Sequence, residues 1–295
     1  MSMKPALIVH GGCGIAPPEA EAALRLEACE RAADAGWVVL RAGGAALDAV
    51  EAAVRVLEDA PLLNAGTGSH LQADGLARMD ASLMTGEGRA GAVVQVPGLR
   101  NPIRLARYVL DHGSHVMISG GEAEQLGLRI GLEPAAPSTP ARVQYWQDHL
   151  SEPARRLDYA GMAADWRRRE RLGTVGCVAL DMSGGLAAGT STGGTPLCYP
   201  GRIGDSPIIG AGTYCTRLAG VSMTGLGEVI LLRLPAKRLC DLVADRGLPI
   251  DRAARIVLDE VAALSPASAA LIALDVNGGL VSAHDTEFMA VASRT

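Results

Sequence analysis

Val178-Ala179-Leu180-Asp181-Met182-Ser183-Gly184-Gly185-Leu186 and Ile272-Ala273-Leu274-Asp275-Val276-Asn277-Gly278-Gly279-Leu280 are two copies of one pattern. Each runs apolar into an aspartate, crosses a polar Gly-Gly turn and returns apolar. A run, a turn and a return of this kind reads as a β-hairpin. Between the copies lie two stretches with helical periodicity, Glu228–Asp245 and Ile250–Leu264. Antiparallel hairpins with helices between them predict a layered α/β sandwich with largely antiparallel sheets, and they argue against a doubly wound parallel sheet.

Toward the amino terminus, Ala6 to Val9 predicts a buried strand ending in Gly11-Gly12. Pro17 and Pro18 open a helix from Glu19 to about Arg41, broken at Gly43-Gly44. A second helix runs from Ala45 to about Ala60, with Ala46, Val50, Val54 and Leu57 on one face, and Pro61 ends it. Leu62 to Gly68 reads as a glycine-bearing loop, Asp74-Gly75 as the turn of a hairpin, and Gly91 to Val96 as a strand. A helix at Pro102–Leu110 and a short strand at His115–Ser119 follow. From Pro134 to Leu172, prolines at 134, 137, 140 and 153 with many Arg, Gln and Asp break any core pattern and predict a linker or mobile segment.

The chain has 295 residues, 48% of them hydrophobic, and a formal net charge of −5. That length supports one large domain or two modest ones. With a single phenylalanine, Phe288, and 36 glycines, core filling rests on Ala, Val, Leu and Ile. The mild acidity argues against nucleic acid as a principal partner. Arg167-Arg168-Arg169-Glu170-Arg171, the one basic cluster, reads as a solvated linker face. The six cysteines are dispersed and include no C-x-x-C pair, so neither a disulfide framework nor a zinc site is expected. The apolar run Ala6–Val9 is too short for a signal peptide, and nothing is long enough to span a membrane. A soluble, reduced, cytoplasmic protein is the simplest expectation.

Chemistry enters at Gly173-Thr174-Val175-Gly176-Cys177-Val178-Ala179-Leu180-Asp181, where a threonine opens an apolar strand just after the polar segment. A threonine hydroxyl is a poor nucleophile without a base beside it. Cutting the Gly173–Thr174 bond would give Thr174 a free α-amine with a reference pKa near ~8, usable as a base at neutral pH. Alone, the nonapeptide fits an edge-strand threonine better; the downstream motifs reverse that preference. Gly189-Thr190-Ser191-Thr192-Gly193 also fits the G-x-S-x-G nucleophile elbow, with Asp205 and His284 following in order and His10-Gly11-Gly12 resembling an esterase oxyanion motif. An elbow needs a strand-to-helix turn, and Gly193-Gly194-Thr195-Pro196 cannot begin a long helix. Gly210-Ala211-Gly212 and Gly225-Leu226-Gly227 match no phosphate-loop pattern, and the histidines show no metal-ligand spacing.

Three downstream segments complete a constellation. Thr190-Ser191-Thr192-Gly193-Gly194 ends the return strand of the first hairpin, beside the start of its partner. Gly201-Arg202-Ile203-Gly204-Asp205-Ser206-Pro207 offers a cation and an anion three residues apart, able to read the carboxylate and ammonium of an amino acid or, more simply, to bridge each other. Ser222-Met223-Thr224-Gly225-Leu226-Gly227-Glu228 passes from strand into helix, where N–H groups and a hydroxyl could form an oxyanion hole or just a glycine-rich helix start.

Together these segments resemble the plant-type L-asparaginase/isoaspartyl peptidase family of N-terminal-nucleophile hydrolases. The likeness extends through Leu7–Gly12, Ala42–Val50, Asn64-Ala65-Gly66-Thr67-Gly68, Met79-Asp80-Ala81 and Leu99–Ile103 to the Gly173-Thr174 junction and the three downstream motifs. It implies a four-layer αββα sandwich, made as an inactive precursor and cut by itself before Thr174 into an α chain, residues 1–173, and a β chain, residues 174–295, associated as a dimer of αβ units. It implies that Thr174 Oγ attacks a side-chain amide with its own α-amine as base, that Thr192 orients that hydroxyl, and that Thr224 and the Gly225 N–H hold the oxyanion. Arg202 would bind the substrate α-carboxylate and Asp205 its α-ammonium, with Asn64 and Gly227 completing the pocket. L-asparagine and β-aspartyl dipeptides would yield L-aspartate. No cofactor is implied for catalysis; a structural sodium ion would sit on main-chain carbonyls of Leu57, Glu58, Ala60, Leu63, Ala65 and Thr67. The chain departs from the family pattern at Leu226, Cys198-Tyr199 and Thr85. Two alternatives are a glycosylasparaginase, which shares the Arg202–Pro207 pattern, and a non-processing homologue that binds amino acids.

Overall fold

The computed structural model describes residues 3–150, 173–266 and 268–295. Eleven strands form two sheets among these residues. In chain order they are β1 (Ala6–Gly14), β2 (Met79–Thr85), β3 (Ala90–Val96), β4 (Met117–Ser119), β5 (Val175–Leu180), β6 (Leu186–Thr192), β7 (Thr213–Cys215), β8 (Ala219–Gly225), β9 (Ala269–Asp275), β10 (Leu280–His284) and β11 (Phe288–Arg294). The larger sheet has the order β11-β1-β5-β6-β2-β3-β4 and the smaller β10-β9-β8-β7. Every pairing is antiparallel except β3 with β4.

Both repeated segments are the hairpins that their sequence predicts, β5–β6 in one sheet and β9–β10 in the other. They share one turn chemistry. Asp181 Oδ1 accepts the N–H groups of Ser183 and Gly185, both at 2.9 Å, and Asp275 Oδ1 accepts those of Asn277 and Gly279 at 2.8 and 2.9 Å. Gly184 and Gly278 take φ of +86° and +83°, which explains the glycine at that turn position.

Helices cover both outer faces. α1 (Glu19–Arg41), α2 (Ala46–Glu58) and α3 (Pro102–His112) lie on the larger sheet and close one apolar core with it. α7 (Pro235–Arg246) and α8 (Ile250–Ala262) cover the smaller sheet, whose other face packs on the larger one in a second core. The layers are therefore αββα. The Asp181 turn also joins two layers, because its Oδ2 accepts the Ala46 N–H at 2.9 Å and caps α2.

Four expectations need correction. Asp74-Gly75 makes a tight turn, with the Gly75 N–H donating to Gln72 O at 2.9 Å, but no strands flank it. β2 begins at Met79 and returns as β3 through Gly86–Gly88, so Asp-Gly here is turn chemistry without a hairpin. Glu228–Asp245 is two helices, α6 (Gly227–Arg233) and α7. Pro235 lacks an N–H to continue the ladder, and Leu234 before it adopts φ +48°. The expected linker contains one helix joined to the fold, α5 (Pro140–His149); α4 (Gly120–Arg129) ends before it begins. α5 has no buried residue but docks along one face: Arg142 Nε donates to Gly68 O at 3.0 Å, and a side chain on Gly75 would meet the Trp146 ring at 3.0 Å. The Arg167–Arg171 cluster lies outside the described residues. Lastly, β1 does not end at Gly11-Gly12; it continues to Gly14 across a bulge between His10 and Cys13.

Candidate active site

Thr174 stands one residue before β5, in the middle of the larger sheet, and is only 5% exposed. β5 and β6 pair with Val175 opposite Ser191 and Gly176 opposite Thr190. One step further along this register sets Thr174 opposite Thr192. The hairpin thus delivers the second threonine beside the first, and the Thr192 hydroxyl accepts the Gly194 N–H at 3.1 Å. Thr174 Oγ1 lies 3.3 Å from Ser206 Oγ, a neighbour whose importance the sequence did not single out.

The other sheet supplies Thr224, near the end of β8. A side chain on Gly173 would come within 3.3 Å of Thr224 Oγ1, so that hydroxyl faces the Gly173–Thr174 junction. Thr224 Oγ1 is buried and has no hydrogen-bond partner among the described residues. A buried hydroxyl left without a partner costs free energy and marks a place where a ligand or reacting atom would satisfy it. Gly225, the next residue, has φ +144° and packs against the Ser268 carbonyl, a conformation and closeness that favour glycine. Gly12 makes a similar approach from β1: a Cβ there would lie 2.8 Å from Gly173 N.

Ser206 leads to the charged wall. Arg202 and Asp205 do not bridge each other in the simple sense: the guanidinium pairs with Glu228, Nε to Oε1 and Nη2 to Oε2, both at 2.9 Å. Burial opposes the Arg202 charge, and the Glu228 carboxylate outweighs it, leaving the guanidinium pKa above its ordinary value. Asp205 Oδ2 is buried without a hydrogen-bond partner among the described residues. Burial pushes the Asp205 carboxyl up to about 7 against the pull of Arg202. Gly227 lies between the two, since a Cβ there would stand 2.6 Å from Arg202 Nη2 and 2.9 Å from Asp205 Oδ1. A cation and an anion thus flank one glycine, each able to take an opposite charge.

A second layer holds Arg202 in place. Gln95 Nε2 donates to the Arg202 carbonyl at 2.8 Å, and the Gln95 N–H donates to Asp80 Oδ1 at 2.7 Å. Gln95 adopts φ +55°, which a residue other than glycine tolerates only when its surroundings hold it there. Burial pushes the Asp80 carboxyl up to about 6.

Asn64 joins the loop after α2 to the corner behind Thr192. Its Nδ2 donates to Gly194 O at 2.7 Å and its Oδ1 accepts the His70 N–H at 3.1 Å. The same loop turns main-chain carbonyls inward: a side chain on Gly66 would strike the Glu58 carbonyl, and one on Gly68 those of Leu63 and Pro61. Helix ends leave carbonyls without intrahelical partners, and carbonyl oxygens suit a hard cation. Of the six expected ligand carbonyls, those of Leu57, Ala60 and Ala65 each accept one N–H, from Ala60, Leu63 and Gly68 at 3.1–3.2 Å, which leaves each a second lone pair for such an ion. No group of three or more His, Cys, Asp or Glu side chains gathers for a metal among the described residues. The Glu58 side chain serves the fold, accepting the Ser191 hydroxyl at 2.6 Å and the Ile103 N–H at 3.1 Å. Ser191 is thereby occupied inside the larger sheet, while His284 sits exposed on β10, so no serine triad forms. Leu226 is buried in the core between the sheets and their helices. The described residues include no helix long and apolar enough to cross a membrane.

Comparison with known proteins identifies the family. The family model described as Asparaginase matches residues 3–295. An isoaspartyl peptidase of Escherichia coli strain K12 is 40% identical over 297 residues, covering 97% of this chain and 91% of that protein. A plant-type L-asparaginase of Pyrococcus furiosus is 40% identical over 298 residues, covering 97% and 95%. An isoaspartyl peptidase/L-asparaginase of Rattus norvegicus is 40% identical over 279 residues, covering 93% and 81%. With its αββα layers and a likeness that runs from end to end, the chain belongs to the asparaginase family that includes the isoaspartyl peptidases and plant-type L-asparaginases.

Proposed function

We propose that this protein is a self-processing amidohydrolase that cleaves the side-chain amide of L-asparagine and the isopeptide bond of β-aspartyl dipeptides, releasing L-aspartate. The observation that carries the reading is the setting of Thr174: a buried hydroxyl beside Ser206, next to a junction faced by the unpartnered Thr224 hydroxyl. In the precursor, Thr174 Oγ attacks the Gly173 carbonyl carbon and the peptide nitrogen leaves as the new α-amine. Water then hydrolyses the resulting ester. The products are residues 1–173 and 174–295, and the segment ending in α5 stays docked through Arg142.

In the processed enzyme the α-amine takes the Thr174 hydroxyl proton as Oγ attacks the substrate's side-chain carbonyl. Thr224 Oγ and the Gly225 N–H stabilise the oxyanion, an effect of about 10²–10³ in rate for one such donor. The amine passes the proton to the leaving ammonia or amino acid, and a β-aspartyl ester remains on Thr174. Water, deprotonated by the same amine, hydrolyses it. Thr192 orients the nucleophile, Arg202 takes the α-carboxylate and Asp205 the α-ammonium. Gly227 leaves room between them, and Asn64 holds the corner behind Thr192. A sodium ion on the Leu57, Glu58, Ala60, Leu63, Ala65 and Thr67 carbonyls would brace the Asn64 loop and take no chemical step. A dimer of αβ units in the cytoplasm is the proposed assembly; dispersed cysteines without a C-x-x-C pair fit a reducing compartment.

The test is an intact mass spectrum after incubation at neutral pH, with Thr174→Ala alongside, followed by assays on L-asparagine and a β-aspartyl dipeptide. Two fragments splitting at Gly173–Thr174 and aspartate release, both only in wild type, are expected. Hydrolysis of glycosylated asparagine alone would favour a glycosylasparaginase. An uncut, inactive wild type that binds L-aspartate as Thr174→Ala does would leave a binding protein.

A further inference from the structure

Ser206 is fully buried in the loop that also carries Arg202 and Asp205, and it touches the nucleophile. The 3.3 Å contact between Thr174 Oγ1 and Ser206 Oγ is the only hydrogen bond that either hydroxyl makes among the described residues. The Ser206 main chain is held from both sheets. Ser82 Oγ on β2 donates to the Ser206 carbonyl at 2.6 Å, and Thr213 Oγ1 on β7 lies 3.4 Å from the same oxygen. The carbonyl before it, Asp205 O, accepts the N–H groups of Ile208 and Gly212, both at 3.0 Å. A Cβ on Gly212 would stand 2.7 Å from Ser206 Cα, so the loop lies tight against β7. The Ser206 hydroxyl is therefore carried on a main chain with little freedom to move.

One bond between two hydroxyls needs one donor. If Thr174 donated, the proton of the fully buried Ser206 would be left without an acceptor, at a cost in free energy. If Ser206 donates, the Thr174 proton turns toward the Gly173 junction, where the α-amine appears after the cut. We propose that Ser206 is a catalytic residue of both reactions: its hydroxyl donates to Thr174 Oγ and keeps the attacking lone pair of that oxygen on the carbonyl carbon. The inference rests on the reading of Thr174 as the nucleophile. During attack, Oγ forms its bond to the carbonyl carbon. Its own proton passes to the α-amine or, in self-cleavage, to the departing Thr174 nitrogen, while Ser206 keeps its proton throughout. A fixed donor aimed at an oxygen that gains negative charge stabilises that charge without reorganising. Asp205, the neighbour in the chain, is assigned to the substrate α-ammonium. One dipeptide thus serves recognition and chemistry, and kinetics separates the two.

The experiment compares wild type, Ser206→Ala and Ser82→Ala for the rate of cleavage at Gly173, for kcat and KM on L-asparagine, and for L-aspartate binding by titration calorimetry. Ser206→Ala is expected to cut itself and to turn over about 10- to 100-fold more slowly, with KM and the L-aspartate Kd within about twofold. Ser82→Ala keeps the Ser206 hydroxyl and loosens the carbonyl beneath it, so it loses about 3- to 10-fold in the same two rates. Where too little Ser206→Ala matures for assay, the cleavage rate is the reading, and the uncut chain is expected to unfold within about 2 °C of uncut Thr174→Ala. Normal rates in folded Ser206→Ala would overturn the proposal. So would a raised KM and weaker L-aspartate binding with kcat intact, the marks of a residue that only shapes the Asp205 loop. If Ser206→Ala does not fold, or its uncut chain unfolds well below Thr174→Ala, unchanged rates in Ser82→Ala overturn it. A wild type that neither cuts itself nor hydrolyses L-asparagine defeats the functional reading itself; an active wild type with an equally active Ser206→Ala defeats only this one.

Discussion

Arg202 and Glu228 meet fork to fork, with two nearly parallel hydrogen bonds of 2.9 Å. Bidentate pairing holds a guanidinium plane in one orientation as well as neutralising it. The cation offered to a substrate carboxylate is thus already aimed, and Gln95 fixes the backbone beneath it. Glu228→Gln removes the charge and one good acceptor while keeping the shape. KM for L-asparagine is expected to rise about 5- to 30-fold with kcat within about twofold, the signature of lost uniform binding. Thermal unfolding should show a loss of about 1–3 kcal/mol, the cost of leaving a buried guanidinium half paired. Unchanged KM would separate Arg202 from substrate binding.

Gly227 is the spacer between the two charges. Gly227→Ala would place a methyl group 2.6 Å from Arg202 Nη2 and 2.9 Å from Asp205 Oδ1. The two nearest obstructing atoms are side-chain ends and the third is the Asp205 main-chain nitrogen at 3.3 Å, so the charges must separate. Substrate affinity is expected to fall by at least about tenfold, while the far-ultraviolet circular dichroism and Tm stay close to wild type. Isothermal titration with L-aspartate, the product, reads the affinity directly.

The hairpins were legible because their turns are written locally: an aspartate, two residues on a small polar one, then two glycines. Thr192 beside Thr174 followed from that same hairpin register. Helix α1, Glu19 to Arg41, was legible from Glu19 to about its end, because proline and glycine bracket it. The break at Leu234 was readable too, had Pro235 been given its due weight. What could not be read is contact across the fold. His10 and Ser222 are 212 positions apart, and only the packing of the two sheets brings them to 2.9 Å. Glu228 stood inside a recognised motif, yet its partner depends on how the Arg202 loop folds over α6. The docking of α5 was missed for a related reason. Its anchor, Arg142, bonds main-chain carbonyls of Gly68 and Leu62 and the ring of His70, all more than 70 positions away in sequence.

Asp205 links recognition to stability with a definite sign. Its carboxyl rises from an ordinary value of 3.8 to about 7 because burial disfavours the charge. Between those pH values the folded state keeps a proton that the unfolded chain has released. Stability from this group therefore falls as pH rises through that window and is flat above it. Asp205→Asn is expected to raise Tm at pH 8 by about 2–5 °C, with the gain vanishing near pH 4, while hydrolysis of L-asparagine drops at least about 10²-fold. In wild type, kcat/KM should decline below about pH 7, as the carboxylate facing Arg202, Glu228 and Asp80 takes up its proton. Scanning calorimetry across pH checks the first claim and a pH–rate profile the second. A destabilised Asp205→Asn at pH 8 would mean that the carboxylate supports the fold.

Thr224 separates function from stability most cleanly. Its hydroxyl is buried without a hydrogen-bond partner among the described residues, and the whole residue is 0% exposed. Thr224→Val keeps the volume and removes the unsatisfied oxygen. If the hydroxyl serves only the fold, its removal should be neutral or harmful to both stability and rate. If it waits for an oxyanion, removal leaves Tm unchanged or higher, because a desolvated hydroxyl without a partner costs about 1–3 kcal/mol. Self-cleavage and kcat should then fall together by about 10²–10³-fold. The two rates are coupled because the same hydroxyl faces Gly173 before the cut and the substrate carbonyl after it. Mass spectrometry of the aging precursor and single-turnover hydrolysis by whatever fraction matures measure both. A Thr224→Val protein that processes normally yet hydrolyses poorly would place the oxyanion of the first reaction elsewhere.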